Sequence, residues 1–234
     1  MKELAQQAQV LLGLRLNSAQ LRALEKYENE LIAWNERFNL TAIDTPEKIR
    51  TKHFLDSFTC LLVMRDSSIE NVIDVGSGAG FPGIPLKIAC PAIKLTLIEA
   101  TRKKVEFLKH IVEILNLQAV ELIWGRAEEI AKEKRDFFDL AVSRAVAEMR
   151  VLCEYGLPLV SVGGMFVAYK EEKVEDEVKA AENAIQRLGG KLEAIHKLKL
   201  PNTEIVRSLV LIDKISPTPP AFPRRPGLAK KRPL

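Results

Sequence analysis

The residues best placed to do chemistry in this chain of 234 lie between Asp74 and Glu99. A short apolar run, Asn71 to Val75, reads as a buried strand that feeds straight into a turn carrying Gly76, Gly78 and Gly80. Glycines there let the backbone turn tightly and approach a ligand where any Cβ would collide. A second apolar run, Lys94 to Ile98, ends in the acidic Glu99. A carboxylate about twenty residues past such a turn suits the two hydroxyls of a ribose, through charged hydrogen bonds contributing roughly 1.5–3 kcal/mol. The pair points to a nucleoside-containing ligand.

Two frames of the glycines compete. A dinucleotide fingerprint, GxGxxG, should begin directly after the strand, but counting from Gly76 its last glycine falls on Phe81. The pattern does occur from Gly78 through Gly80 to Gly83, displaced from the strand and with Pro82 inside it. Proline lacks an N–H, so that register is a poor cradle for a pyrophosphate. The directly attached frame is DxGxGxG from Asp74, which resembles motif I of the class I S-adenosylmethionine (SAM) methyltransferases. SAM carries no pyrophosphate and does not need those donors. A lone glycine motif also fits a plain strand-to-helix turn in another α/β protein.

The elements around this turn must hold it in place. Ser18 to Phe38 is an amphipathic helix with Leu21, Leu24, Tyr27, Leu31, Trp34 and Phe38 in one stripe. Thr45 and Pro46 open a further helical stretch running to about Met64, by the cap-then-proline rule. Strands are expected at 71–75, 94–98, 119–124, 138–142, 164–169, 190–198 and 205–213, and helices at 84–90, 102–116, 127–133, 147–157 and 173–188. Thr101 is the expected N-cap of the second of these helices. Alternation of this kind makes a parallel sheet with helices on both faces. The link between the last two strands is too short for a parallel crossover, so they form an antiparallel hairpin. The expected fold is therefore α/β, a seven-stranded Rossmann-like sheet with its last strand antiparallel, preceded by an N-terminal helical cap. The division is 1–65 cap, 66–214 SAM-binding domain and 215–234 basic proline-rich tail.

Composition excludes several classes. No apolar run approaches the roughly 18–20 residues of a membrane span, and the N-terminus lacks a signal-peptide pattern. Cys60, Cys90 and Cys153 are odd in number and widely spaced, which suits buried thiols in a reducing cytoplasm and gives no metal site. Net charge is +4, yet Lys214, Arg224, Arg225, Lys230, Lys231 and Arg232 put six positive charges on a tail without an acid. A near-neutral body with a basic tail suits a polyanion partner, although a solubilising terminus has the same composition. The tail prolines, at 217, 219, 220, 223, 226 and 233, are expected to prevent helix and keep an extended arm able to follow a phosphate backbone. Nothing in the residues sets an oligomeric state.

In an open sheet the ligand lies beyond the carboxyl ends of the strands, so the GRAEE turn, Gly125 to Glu129, faces the same crevice as Gly76 and Glu99. The Ala127 N–H and the Glu128 carboxylate are placed to read adenine, whereas Glu129 fits an ordinary acid-rich first helical turn. Arg144 follows the buried Leu140 to Val142 run and lies at the crevice lip, suited to a carboxylate, phosphate or base. His53 has Asp56 and Ser57 within a helical turn, a pattern more often structural than catalytic. Asn39 and Thr41 either orient that segment or touch RNA.

With these residues in view the chain resembles the bacterial RsmG (GidB) family, 16S rRNA guanine-N7 methyltransferases, over essentially its whole length. The resemblance rests on YENELIAWNERFNLTAI (Tyr27–Ile43), KHFLDS (Lys52–Ser57), DVGSGAGFPGIPL (Asp74–Leu86), the GRAE turn, SRAV (Ser143–Val146) and PRRPG (Pro223–Gly227). It implies a SAM site at Gly76, Gly78, Phe81, Glu99, Ala100, Thr101, Ala127, Glu128 and Arg144, with Arg144 also serving the reaction. It implies 16S rRNA or the small ribosomal subunit as substrate, modified at a guanosine of the decoding-region loop. It moves His53, Asp56 and Ser57 towards the active-site mouth, while Asn39 and, by their charge, Arg224 and Arg225 are the further expected contacts to the RNA.

The residues independently permit N7 chemistry. Guanine N7 has an in-plane lone pair and loses no proton, so no general base is required, and alignment alone offers about 7–11 kcal/mol. The D/N-P-P-Y/F/W loop common in amine methylation is absent after the fourth strand, where SRAV stands instead. The deep A-form major groove hides N7, so the target must be unpaired or splayed out. A SAM methyltransferase of another substrate and a non-catalytic RNA-binding module remain open on the sequence.

Overall fold

The apolar runs pair into one sheet, which in the computed structural model lies within the described residues, 1–64 and 69–234. The strands are β1 (Asn71–Val75), β2 (Lys94–Glu99), β3 (Val120–Trp124), β4 (Phe138–Arg144), β5 (Val160–Glu171), β6 (Gly190–Lys199) and β7 (Val206–Lys214). Their spatial order is β3-β2-β1-β4-β5-β7-β6. The first five are parallel, and β7 pairs antiparallel with both β5 and β6. The expected hairpin and reversed last strand are both present. Strand order reverses between β1 and β4, and the crevice at such a switch point is where open α/β sheets bind ligands.

Alternating side chains commit the two faces of the sheet to different helices. Val72, Leu95 and Leu97 face a core shared with α1 (Lys2–Leu12), α2 (Ser18–Phe38), α5 (Gly83–Ala89) and α6 (Arg102–Ile114). Ile73, Val75 and Ile98 face the other core, with α7 (Ala127–Glu133), α8 (Met149–Gly156), α9 (Glu175–Ala180) and α10 (Glu182–Arg187). The N-terminal helices thus share a continuous core with the sheet, and the expected boundary at 65/66 lies outside the described residues. A capping box at Asn17 and Gln20 starts α2, and the Gln20 amide reaches on to donate to Ile88 and Ala89 carbonyls.

Between α2 and β1 the helical run α3 passes from Pro46–Ile49 through a π-helical stretch, Arg50–Leu55, into Asp56–Phe58, followed by α4 (Leu61–Met64). The wide turn carries His53 and has no sequence signature; such bulges cluster at functional sites. Thr101 stands at the N-cap of α6 but its side chain makes no capping bond.

The tail departs from expectation. It folds onto α7 and α8 and contains a short helix, α11 (Leu228–Lys231), so it is not an extended arm. Phe222 and Ala229 are buried, and Arg135 donates to the carbonyls of Thr218 and Phe222. Arg224 is held by its backbone N–H and guanidinium on the fully buried Glu154 carboxylate, with Nε–Oε1 2.9 Å. That pairing removes Arg224 from the charges offered to a polyanion. Lys214 is buried too, donating to the Leu157 carbonyl at 2.6 Å. Arg225, Lys230, Lys231 and Arg232 remain exposed.

Candidate functional site

Two cavities meet at the carboxyl ends of β1, β2 and β4, sharing Gly76, Lys104 and Ala145. The smaller, about 270 Å³, is lined by Glu99, Ala100, Gly125, Ala127, Glu128, Val146 and Tyr155 among others. The larger, about 620 Å³, is lined by Thr41, His53, Asp56, Gly78, Phe81, Arg144, Lys170 and Arg207 among others.

The glycine turn needs its glycines. Gly76 has φ +74°, and a Cβ there would stand 2.5 Å from Val146 Cγ2. At Gly83 a Cβ would meet Asp74 Oδ2 at 2.8 Å, the oxygen that accepts the Gly83 N–H at 2.9 Å. Asp74 therefore anchors the far end of the loop from beneath. Its other oxygen is buried without a partner among the described residues, and burial pushes the carboxyl up to about 7. Glu99 clamps the near side, with Oε2 accepting from Gly78 N–H at 2.9 Å and Oε1 from Thr101 N–H at 2.7 Å. Thr101 thus acts through its backbone; it lines neither cavity.

In the smaller cavity, Ala127 is the first residue of α7, so its N–H is one the helix itself leaves unsatisfied. Glu128 is buried, and its Oε1 accepts the Gly227 N–H of the tail at 2.8 Å. It therefore faces both the cavity and the tail.

In the larger cavity Arg144, the last residue of β4, organises the wall. Its Nη1 donates to Asp56 Oδ2 at 2.8 Å and to the Lys52 carbonyl at 3.0 Å, and its Nη2 donates to His53 Nδ1 at 2.9 Å. Arg207 Nε holds the second Asp56 oxygen at 3.1 Å, so the fully buried carboxylate is neutralised from two strands. The His53 ring stacks on Phe81 with centroids 4.1 Å apart and 8° between planes, and Tyr27 stacks on Phe81 at 5.3 Å. The Arg144 guanidinium lies 5.3 Å from the centre of the Phe81 ring. Burial and the Arg144 and Arg207 charges pull His53 down to about 3, so it is neutral at working pH.

That shift has a testable sign. The unfolded chain binds the His53 proton near pH 6.5 and the folded chain only near 3, so this contribution to stability is complete above 6.5 and falls away below it. Denaturant unfolding of the parent between pH 7 and 4.5 should lose about 2 kcal/mol more than His53→Gln does. Equal losses in the two proteins would place His53 in a solvated setting.

Not every expected residue reaches the cavities. Asn39 is exposed at the end of α2, where its φ of +48° terminates the helix. Ser57 is buried behind the wall, its Oγ donating to the His53 carbonyl at 2.6 Å and its own carbonyl accepting from Tyr169. Arg225 lies on the exposed tail. Sequence reasoning does not single out Arg207; the available signal is an arginine at the start of β7, just before the apolar run Leu209–Ile212. Among the described residues no group of three or more metal-ligating side chains converges, and no helix is long and apolar enough to cross a membrane.

The GidB family, described as rRNA small subunit methyltransferase G, matches residues 20–207. The chain belongs to this family. Proteins called ribosomal RNA small subunit methyltransferase G support the assignment along the length of the chain. That of Alkaliphilus metalliredigens is 44% identical over 225 residues, covering 95% of this chain and 94% of the relative. That of Pelotomaculum thermopropionicum is 47% identical over 225 residues, again covering 95% and 94%. Among solved structures, TrmN from Thermus thermophilus aligns with a TM-score of 0.57 at 12% identity, covering 77% of this chain and 53% of that one. The M. jannaschii TYW2 complex with AdoMet aligns at 0.53 and 17% identity, covering 64% and 71%. Those two share the fold, that of the class I SAM methyltransferases. The chain is thus an enzyme of the methyltransferase class.

Proposed function

We propose that this GidB-family chain transfers the methyl group of SAM to N7 of a guanosine in the decoding-region loop of 16S rRNA, in the cytoplasm. The observation that carries the choice of atom is the state of the larger cavity's wall. His53 is neutral with Nδ1 already accepting from Arg144, and Asp56 is held by two arginines. Neither group is free to take a proton. A wall whose histidine and buried aspartate are both committed to arginines suits a nucleophile that has no proton to lose, as guanine N7 does.

The residues present fit the cofactor. Gly76 and Gly78 keep the floor of the crevice free of side chains, and Glu99 at the end of β2 would receive the ribose hydroxyls. Ala127 N–H and Glu128 would face the adenine, with Phe81 and Arg144 towards the methionine end. When bound, SAM supplies an electrophilic methyl on a sulfonium. The protein's work is then alignment: the rigid Phe81–His53 stack and the Arg144 clamp hold the wall against which the base lies.

Glu99→Ala is expected to weaken SAM binding about ten- to hundredfold, from the loss of a charged acceptor. Calorimetric titration measures it, and unchanged affinity in a folded variant would remove Glu99 from the ribose site. The function itself is tested by incubating the protein with SAM and small ribosomal subunits, then cleaving the rRNA chemically at N7-methylguanosine. One strong stop in the decoding-region loop is expected. Methyl groups at another atom, or none, would overturn the proposal.

A further inference from the structure

Methyl transfer to a purine N7, which needs no base, has a selectivity problem. Adenine and guanine both present N7 as an acceptor on the same edge, and they differ beside it: guanine carries the O6 acceptor, adenine the N6 donor. Discrimination must come from a protein group next to the reacting nitrogen, and the hydrogen-bond directions in the wall identify one. Arginine can only donate, so Arg144 Nη2 at 2.9 Å fixes His53 Nδ1 as an acceptor. The neutral ring then carries its hydrogen on Nε2, which donates to Thr41 Oγ1 at 3.1 Å. The Ile43 N–H donates to the same oxygen, also at 3.1 Å. Both lone pairs of the Thr41 hydroxyl are thereby filled. Its own hydrogen has no acceptor among the described residues, and Thr41 lines the larger cavity. The backbone at this point is fixed as well, because the Thr41 N–H donates to Asn35 Oδ1 at 2.9 Å.

We propose that Thr41 is a specificity-determining residue whose hydroxyl donates to the oxo group at C6 of the target purine, admitting guanine and rejecting adenine. This rests on the methyl-transfer reading above and adds the group that chooses the base. Arg144 acts at one remove: through His53 it sets Thr41 as a donor, since a hydroxyl free to accept would tolerate either purine. An amino group presented at the same place would set hydrogen against hydrogen and leave a donor unpaired on each side.

The test uses the full chain and reconstituted subunits whose rRNA carries, at the modified position, either guanosine or 2-aminopurine riboside, which keeps N7 and lacks O6. Parent protein should methylate the 2-aminopurine substrate with kcat/KM about ten- to hundredfold lower than guanosine. Thr41→Val also strips His53 and Ile43 of their acceptor, so the decisive readout is the ratio between the two bases, with SAM affinity measured to verify folding. That ratio should collapse towards one in Thr41→Val and return in Thr41→Ser. A ratio in Thr41→Val equal to the parent's, with guanosine methylated normally by the parent, would overturn the role of Thr41 alone. Parent protein that leaves guanosine N7 unmethylated would overturn the methyl-transfer reading and this role with it.

Discussion

Replacing Arg144 by alanine is expected to cut methylation of small ribosomal subunits by about a hundredfold or more, the scale of loss when a reacting group is misplaced by about 1 Å. One guanidinium serves the Asp56 carboxylate, the Lys52 carbonyl and the His53 ring at once, at 2.8, 3.0 and 2.9 Å. Without it Asp56 stays buried with Arg207 as its remaining cation, and His53 is free to exchange tautomers and rotate off Phe81. Breaking a buried pair costs about 3–5 kcal/mol, and Arg207 should hold the stability loss to the lower end of that range. Arg144→Lys should recover less than a tenth of the lost rate, since an ammonium cannot match a planar fork reaching three acceptors. Initial rates combined with urea unfolding separate the two effects. Parent-like turnover in both variants would make Arg144 a purely structural residue.

Much of this arrangement is legible in the residues themselves. Buried strands read as apolar runs, glycines mark the turn, and a short link forces the last hairpin, so the sheet and the crevice follow from local physics. The residues that complete the wall do not follow. Arg207 meets Asp56 across 151 positions, and no spacing rule reaches that far. The π-helical turn that carries His53 uses residues compatible with an ordinary helix, so only the packed structure distinguishes it. Glu128 illustrates a third limit. Its place after β3 marks it as a crevice residue, and it does line the smaller cavity, yet one oxygen is committed to Gly227, 99 positions away. The folded tail is hidden from the sequence for the same reason. Six basic residues on an acid-free segment look the same in sequence whether they stand free or meet buried carboxylates supplied by the body.

The tail's ion pair with the body carries the second large effect. Glu154 is fully buried and takes four hydrogen bonds from Arg224, so Arg224→Met should destabilise the fold by about 3–5 kcal/mol by leaving an unpaired carboxylate inside. Adding Glu154→Leu should restore most of that loss, because removing both charges costs far less than removing one. Unfolding midpoints in urea at neutral pH read both outcomes, and a parent-like midpoint for Arg224→Met would mean that Glu154 is reached by water. A chain ended after Ser216 carries the argument to the cofactor. It loses Arg224, the Phe222 packing and the Gly227 N–H that holds Glu128, while Tyr155, next to Glu154 on α8, lines the same small cavity. SAM affinity should therefore fall about tenfold along with stability, where a free RNA-binding arm would leave it unchanged. Truncation that weakens rRNA binding and its salt dependence but spares SAM affinity would restore the arm. Loss of SAM affinity makes the tail a strap over the adenine side, leaving Arg225, Lys230, Lys231 and Arg232 as its charges available to phosphate.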